Sequence, residues 1–161
     1  MSPLVLVLLQ LTVIAVAFVG GAFLAFSDFI MRALSRTDGA GGVDSMQSIN
    51  REVFRWVFMT LFLGLVPIFL LIGGYGGLVV GQTAGLLLAL SSLIYVVGCF
   101  GVTALCNVPM NTALAGMDVS EAKTQDYWRK TYLPRWTFWN TVRTIACAIS
   151  AFLLLLGVSQ L

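Results

Sequence analysis

The chain has 161 residues, of which 59% are apolar and 10% are charged, whereas soluble domains contain about 45–50% apolar and about 25% charged residues. So few charges cannot coat a soluble globule of this size, and the high apolar content excludes a disordered chain. A net charge of +2 provides no basic stripe of the kind that binds nucleic acid. We therefore expect a membrane protein that binds no nucleic acid.

Uncharged stretches predict four membrane-spanning helices. About 20 apolar residues suffice for one crossing, and no charged side chain precedes Asp28. A second uncharged stretch, Trp56 to Met117, is long enough for two crossings, and its glycines at Gly73 to Gly77 predict the turn between them. We expect spans at about residues 4–27, 53–72, 83–106 and 136–157, with the third helix continuing to Ala115.

The basic residues predict the orientation of these spans. All nine Lys and Arg residues lie between Asp28 and Arg55 or between Asp118 and Arg143. An even number of spans places both charged segments on one side, and the positive-inside rule makes that side cytoplasmic. We therefore expect a multi-pass protein of the cell membrane, with residues 28–52 and 116–135 in the cytoplasm and both termini outside.

The segment before the last span is expected to form an interfacial amphipathic helix. Asp118 and Ser120 suit the start of a helix from about residue 121 to residue 133, after which Pro134 bends or restarts the chain. The predicted fold is thus all-α: an integral membrane four-helix bundle, forming one domain over residues 1–161, with an interfacial amphipathic helix before the last span.

The residue inventory restricts the chemistry. The chain has no histidine, which removes haem held by histidine, histidine-ligated zinc sites and Ser/His or Cys/His nucleophiles. Cys99, Cys106 and Cys147 lie in apolar runs without CxxC spacing, so they are interpreted as small buried hydrophobic residues. We expect no metal site and no cofactor.

Polar and aromatic side chains near the span ends form four clusters, two of them in the first half of the chain. Polar groups at membrane depth are costly, and they tend to line a cavity or to join helices. On the first helix, three residues recur at i, i+4 and i+8: Phe23, Ser27 and Met31. The segment before the second span carries Gln47, Asn50, Arg51 and Arg55. Aromatic packing and interfacial solvation, respectively, are alternative explanations of these two clusters.

The other two clusters lie near the cytoplasmic ends of the third and fourth spans. Asn107 and Asn111 share one helix face on either side of Pro109. One face of the last helix collects Trp128, Tyr132, Arg135, Trp136, Trp139, Asn140 and Arg143. Interhelical hydrogen bonds explain the asparagines and an aromatic belt explains the tryptophans, but neither explains Arg143. Together the two clusters predict a pocket for a flat, partly polar molecule whose negative charge they would stabilise.

Several motifs resemble the DUF1772, or anthrone oxygenase-like, membrane family. They are N-x-P-x-N at Asn107–Asn111 and W-x3-Y-x3-W-x2-W-N-x2-R at Trp128–Arg143, preceded by Gly21–Ser27 with Met31, by Met46–Arg51 and by Phe100–Thr103. Met110 and Arg32 depart from the family pattern, in which leucine and proline are expected. The resemblance implies a four-helix membrane protein and, for characterised members, oxidation of anthrones to anthraquinones by O2 without metal or flavin.

The resemblance also implies roles for individual residues. Arg143 would stabilise the developing enolate, while Asn107, Asn111 and Asn140 would orient substrate oxygens; these four form the predicted catalytic set. The predicted substrate-binding residues are Trp128, Tyr132, Trp136, Trp139, Gln47, Asn50, Phe23, Ser27 and Met31. Asp28 is the one carboxylate close to a span end and is a candidate base.

A non-enzymatic membrane protein is the alternative, so whether the chain is an enzyme stays open at this point. Small residues such as Gly64, Gly98, Gly101, Ala104 and Ala148 permit close helix contacts of an accessory subunit, and the same pocket could bind a lipid or quinone. The expected partners are accordingly a small hydrophobic aromatic molecule or a lipid or quinone, together with membrane lipids and an oligomer or larger membrane complex. A transporter is disfavoured because no charge lies in the middle of a span.

Overall fold

The computed structural model describes residues 2–38 and 40–161, and over these residues it contains five helices and no strand. They are α1 (Pro3–Leu34), α2 (Gly41–Glu52), α3 (Trp56–Val80), α4 (Gln82–Ala115) and α5 (Ala122–Ser159). All except α2 are long and apolar enough to cross a membrane. The predicted all-α class with four spans is confirmed, and these helices indicate a multi-pass membrane protein.

The turn between α3 and α4 lies later in the chain than the sequence indicates. We expect it at Gly73 to Gly77, but α3 runs through these residues to Val80. The chain reverses at Gly81 and Gln82, whose φ angles are +61° and +52°. The glycines inside the helix serve close packing instead: a Cβ at Gly76 would lie 2.7 Å from the carbonyl oxygen of Gly85. Glycine is common at such helix contacts in membranes because it lets two backbones approach.

The half of the bundle that holds this turn is tightly packed. α5 packs along both α1 and α4. Ser91 Oγ donates a hydrogen bond of 2.8 Å to the carbonyl oxygen of Ser150, and Ser150 Oγ donates one of 2.9 Å to that of Ser91. Cys99 and Cys147 are buried between the same helices, as predicted, and Cys106 is half-buried. This reciprocal pairing leaves no room for a ligand between α4 and α5 here.

The other half, which holds the charged segments, is more open. α3 packs against α1 and against residues 82–101 of α4, but within the described part of the chain no comparable packing joins it to residues 103–115. The amphipathic α2 lies across this end, with Val43 and Met46 buried against Leu114 and Trp128. Gln47 anchors α2, because its Nε2 donates hydrogen bonds to the carbonyl oxygens of Leu114 (2.8 Å) and Met117 (2.9 Å).

Wide π-helical turns interrupt the long helices at this end. They occur at Phe26–Ile30 in α1, at Thr103–Asn107 in α4 and at Trp128–Tyr132 in α5. Pro134 lies two residues after the last of these and does not end the helix, so of the two predicted alternatives, a bend or a restart at Pro134, the restart is wrong. A π turn accommodates the missing N–H by shifting the hydrogen-bond register, and it also resets which side chains share a face.

The amphipathic segment before the last span is therefore the first part of α5. Its helix begins at Ala122 with Glu121 as the N-cap. Asp118 and Ser120 stabilise the turn ahead of it, where Asp118 Oδ1 accepts hydrogen bonds from Ser120 N (2.8 Å) and Ser120 Oγ (2.7 Å). These bonds to the ionised form hold the pKa of the Asp118 carboxyl below its usual value.

Candidate functional site

A cleft of about 890 Å³ lies at the charged end of the bundle, where α3 and the last part of α4 diverge. α2 lies over it, and the side chains of α1 and α5 form its floor. Several residues along the gap between α3 and α4 are exposed: Phe54 is 72% exposed and Leu63 is 47% exposed. The cleft is therefore open along this gap, toward the surface that the spans present to lipid.

Phenylalanine rings form one wall of the cleft. Phe58 and Phe62 are stacked with their ring centroids 6.1 Å apart and an angle of 5° between their planes. The edge of Phe23 meets both rings, at 5.7 Å and 6.1 Å. Phe100 lies 6.1 Å from Phe62 on the α4 side. Such a wall suits a flat ring system, since aromatic rings pair in stacked or edge-to-face arrangements at these distances.

The guanidinium of Arg143 forms part of the floor. Its Nη1 donates a hydrogen bond to Thr103 Oγ1 (3.2 Å), and its Nη2 donates one to Asn140 Oδ1 (2.6 Å). Its central carbon lies 4.1 Å from the ring centroid of Phe23 and 5.3 Å from that of Trp136. The side chain is held by neutral partners alone, although Arg143 is only 4% exposed.

Among the described residues, no carboxylate forms an ion pair with this buried cation. Within residues 2–38 and 40–161 the ion pairs are Arg55–Glu52 and Lys130–Asp126, both at the surface. Arg143 Nε is buried and has no hydrogen-bond partner there. A buried charge without a counter-charge is costly, even when hydrogen bonds satisfy part of it. The cleft therefore has the volume for a guest molecule, and an anionic or oxygen-rich guest would compensate the charge of Arg143.

Two of the predicted catalytic asparagines lie behind the cleft rather than along it. Asn140 is fully buried, and its Nδ2 donates hydrogen bonds to the carbonyl oxygen of Phe23 (2.6 Å) and to Ser27 Oγ (2.7 Å). Its oxygen accepts from Arg143, so Asn140 fixes the guanidinium to α1. Asn107 Nδ2 donates to the carbonyl oxygen of Trp136 (3.2 Å), while its buried Oδ1 has no partner among the described residues.

Asn111 does line the cleft. Its Oδ1 accepts hydrogen bonds from the hydroxyl of Tyr132 (2.7 Å) and from Trp136 Nε1 (2.8 Å). The same Tyr132 hydroxyl lies 3.4 Å from Asn50 Nδ2, which donates to it. One amide oxygen thus ties α4 to α5 and, through Tyr132, to α2.

The predicted site residues divide into two groups. Six of them line the cleft: Phe23, Gln47, Asn50, Asn111, Trp136 and Arg143. Seven do not. Asn107, Asn140, Trp128 and Tyr132 are buried behind it, Ser27 and Met31 line a second groove between α1 and α5, and Trp139 packs edge-on against Phe138 at 5.1 Å.

Trp139 lies beside the buried face that follows the π turn in α5. Beyond this turn the buried face is formed in steps of four, four and three residues, by Tyr132, Trp136, Asn140 and Arg143. Trp139 precedes Asn140 by one residue, so its side chain points to a neighbouring face, and Arg135 is exposed for the same reason. Asp28, the candidate base, is exposed and lines neither the cleft nor the second groove.

Several cleft residues were not among the predicted site residues, although Phe100 and Thr103 belong to one of the motifs that resemble the family. They are the wall phenylalanines Phe58, Phe62 and Phe100, the Arg143 partner Thr103, and Glu52 at the rim. Phe58 and Phe62 are spaced by four residues and therefore share a helix face. That spacing was a usable signal, but it is common in apolar spans and does not by itself indicate a cavity.

A family model described as anthrone oxygenase matches residues 58–153 of the chain. The matched range covers most of α3, all of α4 and most of α5, and it contains Asn111, Trp136 and Arg143. The chain matches no curated protein and no solved structure.

Proposed function

Because the chain belongs to the anthrone oxygenase family, we propose that it uses O2 to oxidise a polycyclic aromatic or phenolic substrate of the anthrone type. The reaction would take place in the cleft and would need no cofactor. By the positive-inside rule, this end of the bundle faces the cytoplasm.

The observation that carries this proposal is the uncompensated guanidinium of Arg143. It faces an aromatic-walled cleft, it is 4% exposed, and its hydrogen-bond partners are the neutral side chains of Thr103 and Asn140. A substrate that becomes an enolate or phenolate supplies the missing negative charge. A fixed donor in a water-poor site stabilises such a charge more strongly than water does, because it does not have to reorient.

The proposed reaction balances as anthrone plus O2 giving anthraquinone plus water. Loss of a C–H proton forms the enolate, which transfers one electron to O2 and leaves a substrate radical beside superoxide. The two radicals combine into a C–O bond, and protonation gives a hydroperoxide. The O–O bond then breaks as the second C–H proton leaves, which releases water and forms the new carbonyl. The substrate is the reductant throughout.

The side chains around the cleft have distinct proposed roles. Arg143 stabilises the enolate oxygen, and Thr103 and Asn140 are positioning residues that hold its two terminal nitrogens. Phe58 and Phe62 pack against the ring system. Among the described residues that line the cleft, Glu52 is the one carboxylate, and it lies at the rim, paired with Arg55 at 2.6 Å. We assign no base, since Asp28 lies outside the cleft.

Turnover of a model anthrone by the purified protein tests the proposal. Formation of anthraquinone is followed by absorbance in air-saturated buffer, with the rate in protein-free detergent subtracted. Arg143→Ala should lower the rate by about 100-fold or more, as expected for loss of a donor to a developing oxyanion. The matched control is Arg135→Ala, which removes an exposed arginine of the same helix outside the cleft, and it should retain the wild-type rate.

Two outcomes would overturn the proposal. In the first, the wild-type protein forms no anthraquinone above the protein-free rate. In the second, Arg143→Ala and the wild type turn over equally. A lipid-binding or quinone-binding protein without activity would give the first outcome, and an accessory subunit would in addition copurify with a partner at a fixed ratio.

A further inference from the structure

A second groove, of about 550 Å³, lies between the charged end of α1 and the first half of α5. No residue lines both this groove and the cleft. Its α1 side includes Ser27, Met31 and Arg32, and its α5 side runs from Arg129 to Thr141. It is thus a separate surface, and the proposed oxidation does not use it.

Two arginines face this groove without a counter-charge. Arg32 and Arg129 come from different helices, and both are exposed. Neither takes part in the ion pairs of the described residues, which are Arg55–Glu52 and Lys130–Asp126. Two like charges that share one groove repel each other, and an anion bound between them would remove that repulsion. Planar guanidinium groups also match the oxygens of a phosphate group.

The groove is basic at one end and uncharged beyond it, where apolar side chains lie beside the hydroxyls of Ser27, Thr137 and Thr141. Beyond Arg129, its α5 wall continues through Leu133 and Pro134 to Phe138, whose ring is 60% exposed. Phe138 follows Arg129 by nine residues, which is about 13 Å along a helix axis. Charge therefore lies at the end near the membrane surface and apolar surface lies deeper. A soluble anion would need only the basic end, whereas an amphiphile would contact both.

We propose that this groove binds the phosphate headgroup of an anionic phospholipid between Arg32 and Arg129, with an acyl chain along Leu133 and Phe138. The hydroxyls of Ser35 and Thr137 also line the groove and are placed to donate to headgroup or glycerol oxygens. Basic residues at the cytoplasmic face attract anionic lipids in general. The specific feature here is one lipid held in a groove between two helices.

Lipid retention tests this proposal. The protein is exchanged into nanodiscs of equal phosphatidylglycerol and phosphatidylcholine, released into mild detergent and weighed by native mass spectrometry. The double variant Arg32→Gln/Arg129→Gln is compared with Arg36→Gln/Arg135→Gln. The control pair removes the same charge from exposed positions that line neither cavity, Arg135 on the same helix and Arg36 just beyond the end of α1. Size-exclusion profiles establish that all proteins are folded.

The wild type and the control should each retain one phosphatidylglycerol, preferred over phosphatidylcholine by about tenfold, and the groove variant should lose this preference. Equal losses in both variants would show a general surface attraction and overturn the proposal. So would wild-type protein without a lipid preference. Inorganic phosphate is added in a separate arm, and displacement of the lipid by millimolar phosphate would mean a site for the free ion instead. Anthrone turnover of the groove variant in detergent should be unchanged, which separates this site from the cleft.

Discussion

Two substitutions of Asn111 can separate its contribution to stability from its contribution to the chemistry of the cleft. Its Oδ1 accepts hydrogen bonds from Tyr132 (2.7 Å) and Trp136 (2.8 Å), and within the described residues its Nδ2 donates to no other side chain or carbonyl. Asn111→Leu removes this one acceptor and with it both hydrogen bonds. The Tyr132 hydroxyl can rotate toward another partner, but the Trp136 N–H is fixed and is left unsatisfied. An unsatisfied buried donor costs about 1–3 kcal/mol, and a hydrogen bond between membrane helices contributes about 0.6 kcal/mol.

We therefore expect Asn111→Leu to lower the free energy of unfolding by about 2 kcal/mol. Asn111→Asp keeps the acceptor oxygen at this position, so its stability should stay within about 1 kcal/mol of wild type. The new carboxylate, however, faces the cleft, where it would repel an enolate and compensate Arg143. Its anthrone turnover should fall by at least about tenfold, mainly through a higher KM.

The assay combines unfolding in SDS, followed by tryptophan fluorescence, with anthrone turnover in mild detergent. Two results would refute the reasoning about Asn111. If the leucine variant is as stable as wild type, the two hydrogen bonds do not hold α4 against α5. If the aspartate variant turns over normally, the cleft does not receive an anion beside Asn111.

Three further predictions concern packing and access. A Cβ at Gly85 would overlap the carbonyl oxygen of Gly76, whereas one at Gly77 would meet nothing within 4 Å. Gly85→Ala should therefore lower the free energy of unfolding, measured in SDS, by about 3 kcal/mol. Gly77→Ala should leave the free energy of unfolding unchanged or raise it by about 0.5–1 kcal/mol. Ala104 lines the cleft, whereas the neighbouring Leu105 is 80% exposed and lies outside it. Ala104→Phe should therefore reduce anthrone turnover and leave the free energy of unfolding unchanged. An equal loss of turnover in Leu105→Phe would contradict the position of the cleft. Gln47→Leu removes the two hydrogen bonds from Gln47 that hold α2. Trypsin should therefore cut this variant near Arg51 several-fold faster than it cuts the wild type or Ser48→Leu. An unchanged cleavage rate would mean that α2 is held by its apolar face alone.

The sequence predicts the spans well because each depends on local composition. The absence of charge before Asp28 and between Trp56 and Met117 is enough to define helices that cross a membrane. The turn at Gly81 was not predictable in the same way. Gly73 and Gly76 are indistinguishable from turn glycines by composition, and their function as contact points depends on Ser92 and Gly85 of the facing helix. A glycine in the sequence marks an unusual backbone position, but it does not show whether the chain reverses there or packs closely against a facing helix.

Polarity at membrane depth marks in the sequence some of the residues that line the cleft, whereas helix packing decides which of the other predicted residues lie behind it. Arg143 and Asn111 are costly in a membrane wherever they point, so they stand out in the sequence, and both line the cleft. Asn140 and Trp139 are adjacent, and an ideal helix places both on the predicted face. Packing of α5 against α1 and α4 decides which part of that face is buried, and the sequence of α5 alone does not show it. The wall phenylalanines were missed because apolar residues are unremarkable in a span.

The divergence of α3 from the last part of α4 has a thermodynamic consequence for selectivity. A guest that passes between Leu63 and Ala104 comes from hydrocarbon and has already left water, so covering its rings with Phe58 and Phe62 releases little additional hydrophobic free energy. The few polar groups of the cleft, above all the guanidinium of Arg143, must then discriminate among flat ring systems. Occupancy of the cleft should accordingly follow the mole fraction of guest in the bilayer, and lowering the amount of lipid at a fixed total amount of guest should raise the occupancy.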